Sequence, residues 1–392
     1  MFHVKQRRFL GLIAALGLLS LSLTACTRSN AHGWAPPTIN GQARYFVTGA
    51  GHFDALGADS AKLWRFPTDW TIPDGRARKL KGIYGMPVAS NDGKTVFVGD
   101  YDGYIYAFRP GDFTPNPTAK PIAASLKLNG PVIGGLAYDG ANDVIFVSSD
   151  KQVFQVKASE LAARVDNRDA PVTHSVFFST GNPIWTRPVV ADGKVLIASL
   201  DGNLYAVDEK TDKLVWTYSS SRGLATTPVV EGDIVLVGGF DDHMTAVSLT
   251  DGSVKWTYQT PNWVWSRPAV ANGVVYFGDF DGNLHAVNLA DGSEKWSMDL
   301  GHGPVRSGPT VAGNNLVIAG DHGWVSSVDV TSQQKIWQKD LNTSILADLV
   351  TDGSRVLLAP TGCVTPSGQK QKLYYTGVDP INGDLTSATG VC

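Results

Sequence analysis

From residue 268 to residue 296 the chain sets short apolar runs between Asx-Gly pairs. The apolar runs at 274–278 and 283–287, and the run approaching Trp296, are separated by Asn272-Gly273, Asp281-Gly282 and Asp291-Gly292. Each pair can supply the positive φ that a tight hairpin turn needs. With the run at 268–270, the stretch predicts four antiparallel strands joined by tight turns. Such a unit cannot bury both of its faces alone, so it must stack on copies of itself.

The copies are present along the chain. Segments 188–216, 228–256, 268–296 and 309–337 each open on proline and close on tryptophan, with spacings of 40, 40 and 41 residues. A first unit runs over 37–64 and a second over 84–128, with a basic, Pro-containing loop at 67–80 between them. The third is the most divergent: strands are recognisable at 135–140 and 144–147, and a short helix at 158–165 precedes a last strand at 173–178. The eighth takes 345–351, 356–359, 373–378 and 384–388, carries an insertion at 364–372, and has Ser387 where tryptophan is expected. Eight four-stranded units without long helices predict an all-β, eight-bladed β-propeller. Seven blades plus an N-terminal extension is the alternative, because ring closure is not written in a linear sequence. The Trp-Asp signature of WD repeats is missing, and a WD-repeat propeller is set aside.

Composition fits a large all-β repeat domain: 392 residues, 43% hydrophobic, with 42 glycines and 11 tryptophans. Net charge is −3, and about −6 once a basic N-terminal segment with Lys5, Arg7 and Arg8 is set aside. This argues against nucleic acid as a partner and against non-specific attraction of the body to anionic membranes. The three cysteines, Cys26, Cys363 and Cys392, lack metal-site spacing. Asp100-Tyr101-Asp102-Gly103 and Asp279-Phe280-Asp281-Gly282 lack the remaining ligands of a calcium loop and read as hairpin turns. The histidines at 52, 243, 285, 302 and 322 form no recognisable metal pair or triad. No metal site is expected.

The basic start is followed by a nearly unbroken apolar stretch, 9–23, too short to span a bilayer comfortably and therefore an export signal. It ends Leu23-Thr24-Ala25-Cys26, which resembles the lipobox of bacterial lipoprotein signal peptides. The resemblance implies cleavage before Cys26 and acylation of that residue, giving a membrane anchor of more than one acyl chain. Thr27, not Asp, follows the cysteine, so retention at an inner membrane is not signalled. The expected organisation is a signal peptide at 1–25, a lipidated tether at 26–33 and the propeller at 34–392. With Cys26 lipidated in an oxidising compartment, Cys363 and Cys392 become a candidate disulfide closing a loop of about 30 residues, worth roughly 3–4 kcal/mol on the chain-entropy model. Two unpaired thiols are the alternative.

The segment 206–216, Ala-Val-Asp-Glu-Lys-Thr-Asp-Lys-Leu-Val-Trp, resembles the tryptophan-docking motif of pyrroloquinoline-quinone-like (PQQ-like) propeller repeats. Ala246 with Trp256 and Ala286 with Trp296 match its ends, and Trp337 closes the seventh repeat. The resemblance implies that small alanines let a neighbouring tryptophan lie flat and fasten blade to blade. The family offers three outcomes. Quinoprotein dehydrogenases hold PQQ beneath a disulfide of adjacent cysteines beside a Ca²⁺-binding carboxylate site, are generally longer, and are not matched here; no cofactor is expected and the protein is read as a non-enzyme. Lipoprotein subunits of the outer-membrane β-barrel assembly machinery agree in size, anchor and blade count. A generic structural or sensory envelope propeller is the third. Either of the last two implies a protein partner in the cell envelope.

Three residues before the blade-opening prolines stand Trp34, Tyr84, Trp185, Trp265 and the charged Arg306, a series broken by Ala225. Arg187 and Arg267 directly precede two of the prolines and share strand parity with Trp185 and Trp265. If each proline opens the innermost strand, these residues gather at one mouth of the central channel. Arginine and large aromatics are favoured at binding hot spots and also stack on anionic ligands. Packing between blades is the alternative use for the same side chains.

Overall fold

A computed structural model describes residues 33–41, 43–48, 51–66, 80–110, 123–365 and 374–388. The export segment, Cys26, most of the tether and Cys392 lie outside the described residues. Within them, eight four-stranded antiparallel sheets each follow chain order, making an eight-bladed propeller in which every blade is a plain meander. The blades occupy 38–66, 88–127, 132–179, 189–219, 229–259, 269–299, 310–340 and 350–388.

The sixth blade shows how the pattern builds the unit. Its strands are Ala269–Ala271, Val274–Gly278, Asn283–Asn288 and Glu294–Asp299. At the first hairpin Asn272 and Gly273 both take positive φ, 50° and 72°, the left-handed pair that a two-residue hairpin requires. Its second strand is buried throughout, whereas its fourth alternates toward solvent. The core therefore lies between blades: Val274, Tyr276 and Leu284 of this blade pack with Leu316, Ile318 and Trp324 of the next.

First strands of successive blades touch one another, which makes them the innermost ring. Fourth strands form the outer wall. There a bulge recurs: Ala206 pairs with Trp216 but Val207 with Leu214, so Val215 is an extra residue, and the fifth and sixth blades repeat the slip. The bulge sharpens the twist of the outer strand and leaves Leu214 and Val215 exposed.

The third blade accounts for its divergent sequence. Its opening strand, Val132–Asp139, carries Gly134 and Gly135, and a Cβ on Gly134 would lie 2.1 Å from the Thr186 carbonyl oxygen. The short helix Ala158–Ala163 sits between the third and fourth strands of that blade.

The tryptophans join blades, and the structure changes which residue receives them. Ala206, Ala246 and Ala286 are the cross-strand partners of Trp216, Trp256 and Trp296 inside the same blade. What each ring lies on belongs to the following blade. Trp216 donates Nε1–H to the Leu249 carbonyl at 3.0 Å, and a Cβ on Gly252 would come within 2.6 Å of its ring. Trp256 repeats this with Leu289 at 2.8 Å and Gly292, and Trp337 with Pro380 at 3.1 Å and Gly383. For Trp296 the following turn carries Gln333, at φ 58°, in place of that glycine.

Eighth and first blades meet without a tryptophan, since Ser387 occupies its position opposite Tyr375. Tyr374 donates to the Val47 carbonyl at 3.2 Å and sets its ring edge-on to Phe46. Ser60 and Thr376 share a hydroxyl hydrogen bond of 3.0 Å. Arg44 Nε donates to Asp352 Oδ2 at 3.0 Å and a second guanidinium nitrogen reaches the same oxygen. Burial alone would raise the Asp352 carboxyl, but the Arg44 bond and the amides of Arg355 and Ser354 outweigh it and hold it at about 2. Cys363 packs against this seam and is disulfide-bonded; both other cysteines lie outside the described residues.

Candidate functional site

Along each opening strand, burial alternates. Ala35, Ile184, Thr186, Val264 and Ser266 are buried between blades, while Trp34, Trp185, Arg187, Trp265 and Arg267 on the other parity are only partly covered. That second parity faces the channel. Buried hydroxyls lock the strand in place: Thr186 donates to the Ala198 carbonyl at 2.7 Å and Ser266 to the Gly278 carbonyl at 3.1 Å.

The result is a central cavity of about 440 Å³ at one mouth of the ring. Trp34, Tyr84, Trp185, Arg187, Trp265, Arg267 and Arg306 all line it. Trp185 and Trp265, two blades apart, lie nearly parallel with centroids 6.0 Å apart, and Trp34 meets Tyr84 edge-on at 4.5 Å. The Arg306 guanidinium sits 4.2 Å from the Trp265 ring centroid and pairs with Asp321 at 3.5 Å. Burial depresses the Arg306 guanidinium, with Asp321 opposing. Burial likewise depresses Arg187, the nearby charge of Arg267 adding to the effect and Asp348 opposing it.

One lining residue, and one group that packs behind the lining, escaped the sequence reading. Asp348 stands in the same column as Arg187, Thr227, Arg267 and Gly308, at spacings of 40, 40, 41 and 40; it went unseen because Leu349 replaces the proline that marks the column elsewhere. Its Oδ1 accepts the Gly308 N–H at 2.7 Å. The group behind the lining is the residue before the second turn of each blade. Phe240 and Phe280 pack against Trp265, and Tyr101 against Tyr84, so turns read as purely structural also widen the aromatic rim. A 40-residue recurrence, Leu200 to Phe240 to Phe280, was the available signal.

The Asp-x-Asp-Gly turns do the structural work expected of them. Asp279 is fully buried, accepts backbone N–H groups of Asp281 and Asn283 at 3.0 and 2.9 Å, and meets His285 Nε2 at 3.0 Å. His285 Nδ1 is within 3.2 Å of the Tyr258 hydroxyl, completing a polar chain that the sequence did not suggest. Asp100 accepts the Tyr104 N–H at 2.9 Å, and burial pushes its carboxyl up to about 6.

A family model, outer membrane protein assembly factor BamB, matches residues 158–359 and 280–386, together more than half of the chain. The chain belongs to the BamB family. Among solved structures, BamB from Moraxella catarrhalis superposes with a TM-score of 0.63 at 15% identity, over 83% of this chain and 90% of that one. A computationally designed protein, Ika8, superposes with a TM-score of 0.66 at 12% identity, over 86% and 96% of the respective chains. At such identities the two likenesses speak for the fold. No curated protein matches the chain.

PQQ is the cofactor the wider repeat class brings to mind, and the residues present do not suit it. Among the described residues no cluster of three or more His, Cys, Asp or Glu could hold a metal ion. Among the described residues lining the cavity Asp348 is the one carboxylate, and it is already engaged by a backbone amide. A calcium-assisted quinone needs a richer donor set.

Proposed function

We propose that this BamB-family propeller is a non-catalytic, protein-binding scaffold that assists assembly of outer-membrane β-barrel proteins, held at the cell envelope by lipid on Cys26. The observation that carries the reading is the family match over most of the regular blades, in a ring of eight complete meanders. Docking is assigned to the channel mouth. There Trp34, Tyr84, Trp265 and Arg306 present rigid aromatic and guanidinium surface, the residue types on which interface energy concentrates.

The test is co-purification of the full-length, lipidated protein with the barrel-inserting machinery from its own envelope. The wild-type chain should recover it. Trp265→Ala with Arg306→Ala should lose it while retaining the wild-type β-sheet circular-dichroism spectrum. Failure of the wild-type protein to recover any barrel-insertion component would overturn the reading. Labelling with a radioactive fatty acid, lost in Cys26→Ser, tests the anchor separately.

A further inference from the structure

The channel cavity carries more positive charge than the described residues lining it neutralise. Arg306 is paired with Asp321. Arg187 and Arg267 make no ion pair among the described residues; the one side-chain hydrogen bond of Arg187 runs from Nη1 to Met86 Sδ at 3.7 Å. Nε of Arg267 is buried with no protein acceptor. The charge of Arg267 is close enough to disfavour the Arg187 cation, and Asp348 is the carboxylate that opposes this effect. Two cations facing one anion leave a single excess positive charge in a partly desolvated site.

Placing unpaired guanidinium in such a site costs free energy unless an anion joins it. Beside the arginines the indoles of Trp185 and Trp265, stacked on one another, line the same cavity and give it apolar surface. A volume of about 440 Å³ falls within the range of small-molecule sites. We propose that the cavity binds a small monocarboxylate with an apolar body, its carboxylate held by Arg187 and Arg267 and its body against the two indoles. One excess charge matches a monoanion; a dianion would leave the site negative beside Asp348, and a neutral apolar molecule would leave the arginines unmatched. The inference does not depend on partner docking, although Trp265 belongs both to this site and to the surface assigned to docking.

The experiment titrates the purified full-length protein with sodium benzoate at constant ionic strength, followed by tryptophan fluorescence and by melting temperature. Benzamide, the neutral isostere, and inorganic phosphate serve as comparison probes. Saturable quenching and a raised melting temperature are expected with benzoate, and neither with benzamide. Arg187→Gln and Arg267→Gln should each weaken binding roughly tenfold or more, the scale of a charge-assisted hydrogen bond. Asp348→Asn keeps an oxygen for the Gly308 amide and removes the competing charge, so it should bind benzoate more tightly than wild type, a gain that misfolding cannot produce. Equal responses to benzoate and benzamide, phosphate binding as tight as benzoate, or no tightening in Asp348→Asn would each overturn the proposal.

Discussion

Replacing Arg44 by methionine isolates what closes the ring. Arg44 and Asp352 come from the first and eighth blades, and their side chains are 15% and 5% exposed, so the pair is largely screened from solvent by protein. Asp352 sits at about 2 against an ordinary 3.8. That difference corresponds to about 2 kcal/mol of stability at neutral pH. Part of it comes from the Ser354 and Arg355 amides, which survive the substitution. Losing the partner, however, also strands a carboxylate that is hardly exposed, so a net cost of roughly 2 kcal/mol is expected. The sign with pH is fixed: a depressed carboxyl stabilises the fold fully above 3.8 and loses that contribution as pH falls toward 2. Urea midpoints followed by tryptophan fluorescence should therefore differ most between wild type and Arg44→Met above pH 4, and converge near pH 2. Parallel pH profiles for the two proteins, offset by a constant or not at all, would refute the argument. In a double-mutant cycle, Asp352→Asn should lose most of its own cost once Arg44 is already gone.

Gly252→Ala should destabilise by about 2–3 kcal/mol, combining a left-handed φ with a Cβ driven into the Trp216 ring; Gly232→Ala, with positive φ in open space, should cost only about 1 kcal/mol, and chemical denaturation of both separates clash from strain. Asp100→Asn should leave stability unchanged or raise it at pH 7.5. The wild-type carboxyl, raised to about 6, loses stability as pH climbs from 3.8 through 6, a change on the order of 1–3 kcal/mol that the variant should lack in a pH series of melts. Cys363 is proposed to pair with Cys392: peptide mapping without reductant should recover the linked fragments, and Cys392→Ser should lower stability by roughly 3–4 kcal/mol.

Blade number and turn positions were legible because a strict 40-residue period and Asx-Gly pairs have few other physical uses. The channel lining was legible wherever a proline marked the innermost strand, since parity then tells which residues share a face. Asp348 was hidden for the complementary reason, that Leu349 removes the marker while the column continues. The receiving surface for Trp216 was misread because sequence places Ala206 at a fixed distance before the tryptophan, and only the fold shows that alanine to be a strand partner and Gly252 of the next blade to be the platform. The bulge at Val215 and the Asp279–His285–Tyr258 chain depend on register between strands, which hydrophobic pattern alone does not set.

Because every blade is a meander of consecutive strands, seven of the eight joints in the ring are spanned by the chain itself and only the first-to-eighth joint is not. The residues that meet there are far apart in sequence, 308 positions for Arg44 and Asp352 and 327 for Val47 and Tyr374. A polypeptide that emerges N-terminus first therefore presents Phe46 and Leu56 on an uncovered flank until nearly its whole length has been delivered. That interval, rather than any single blade, is where the nascent protein is most open to aggregation and most in need of a holding chaperone.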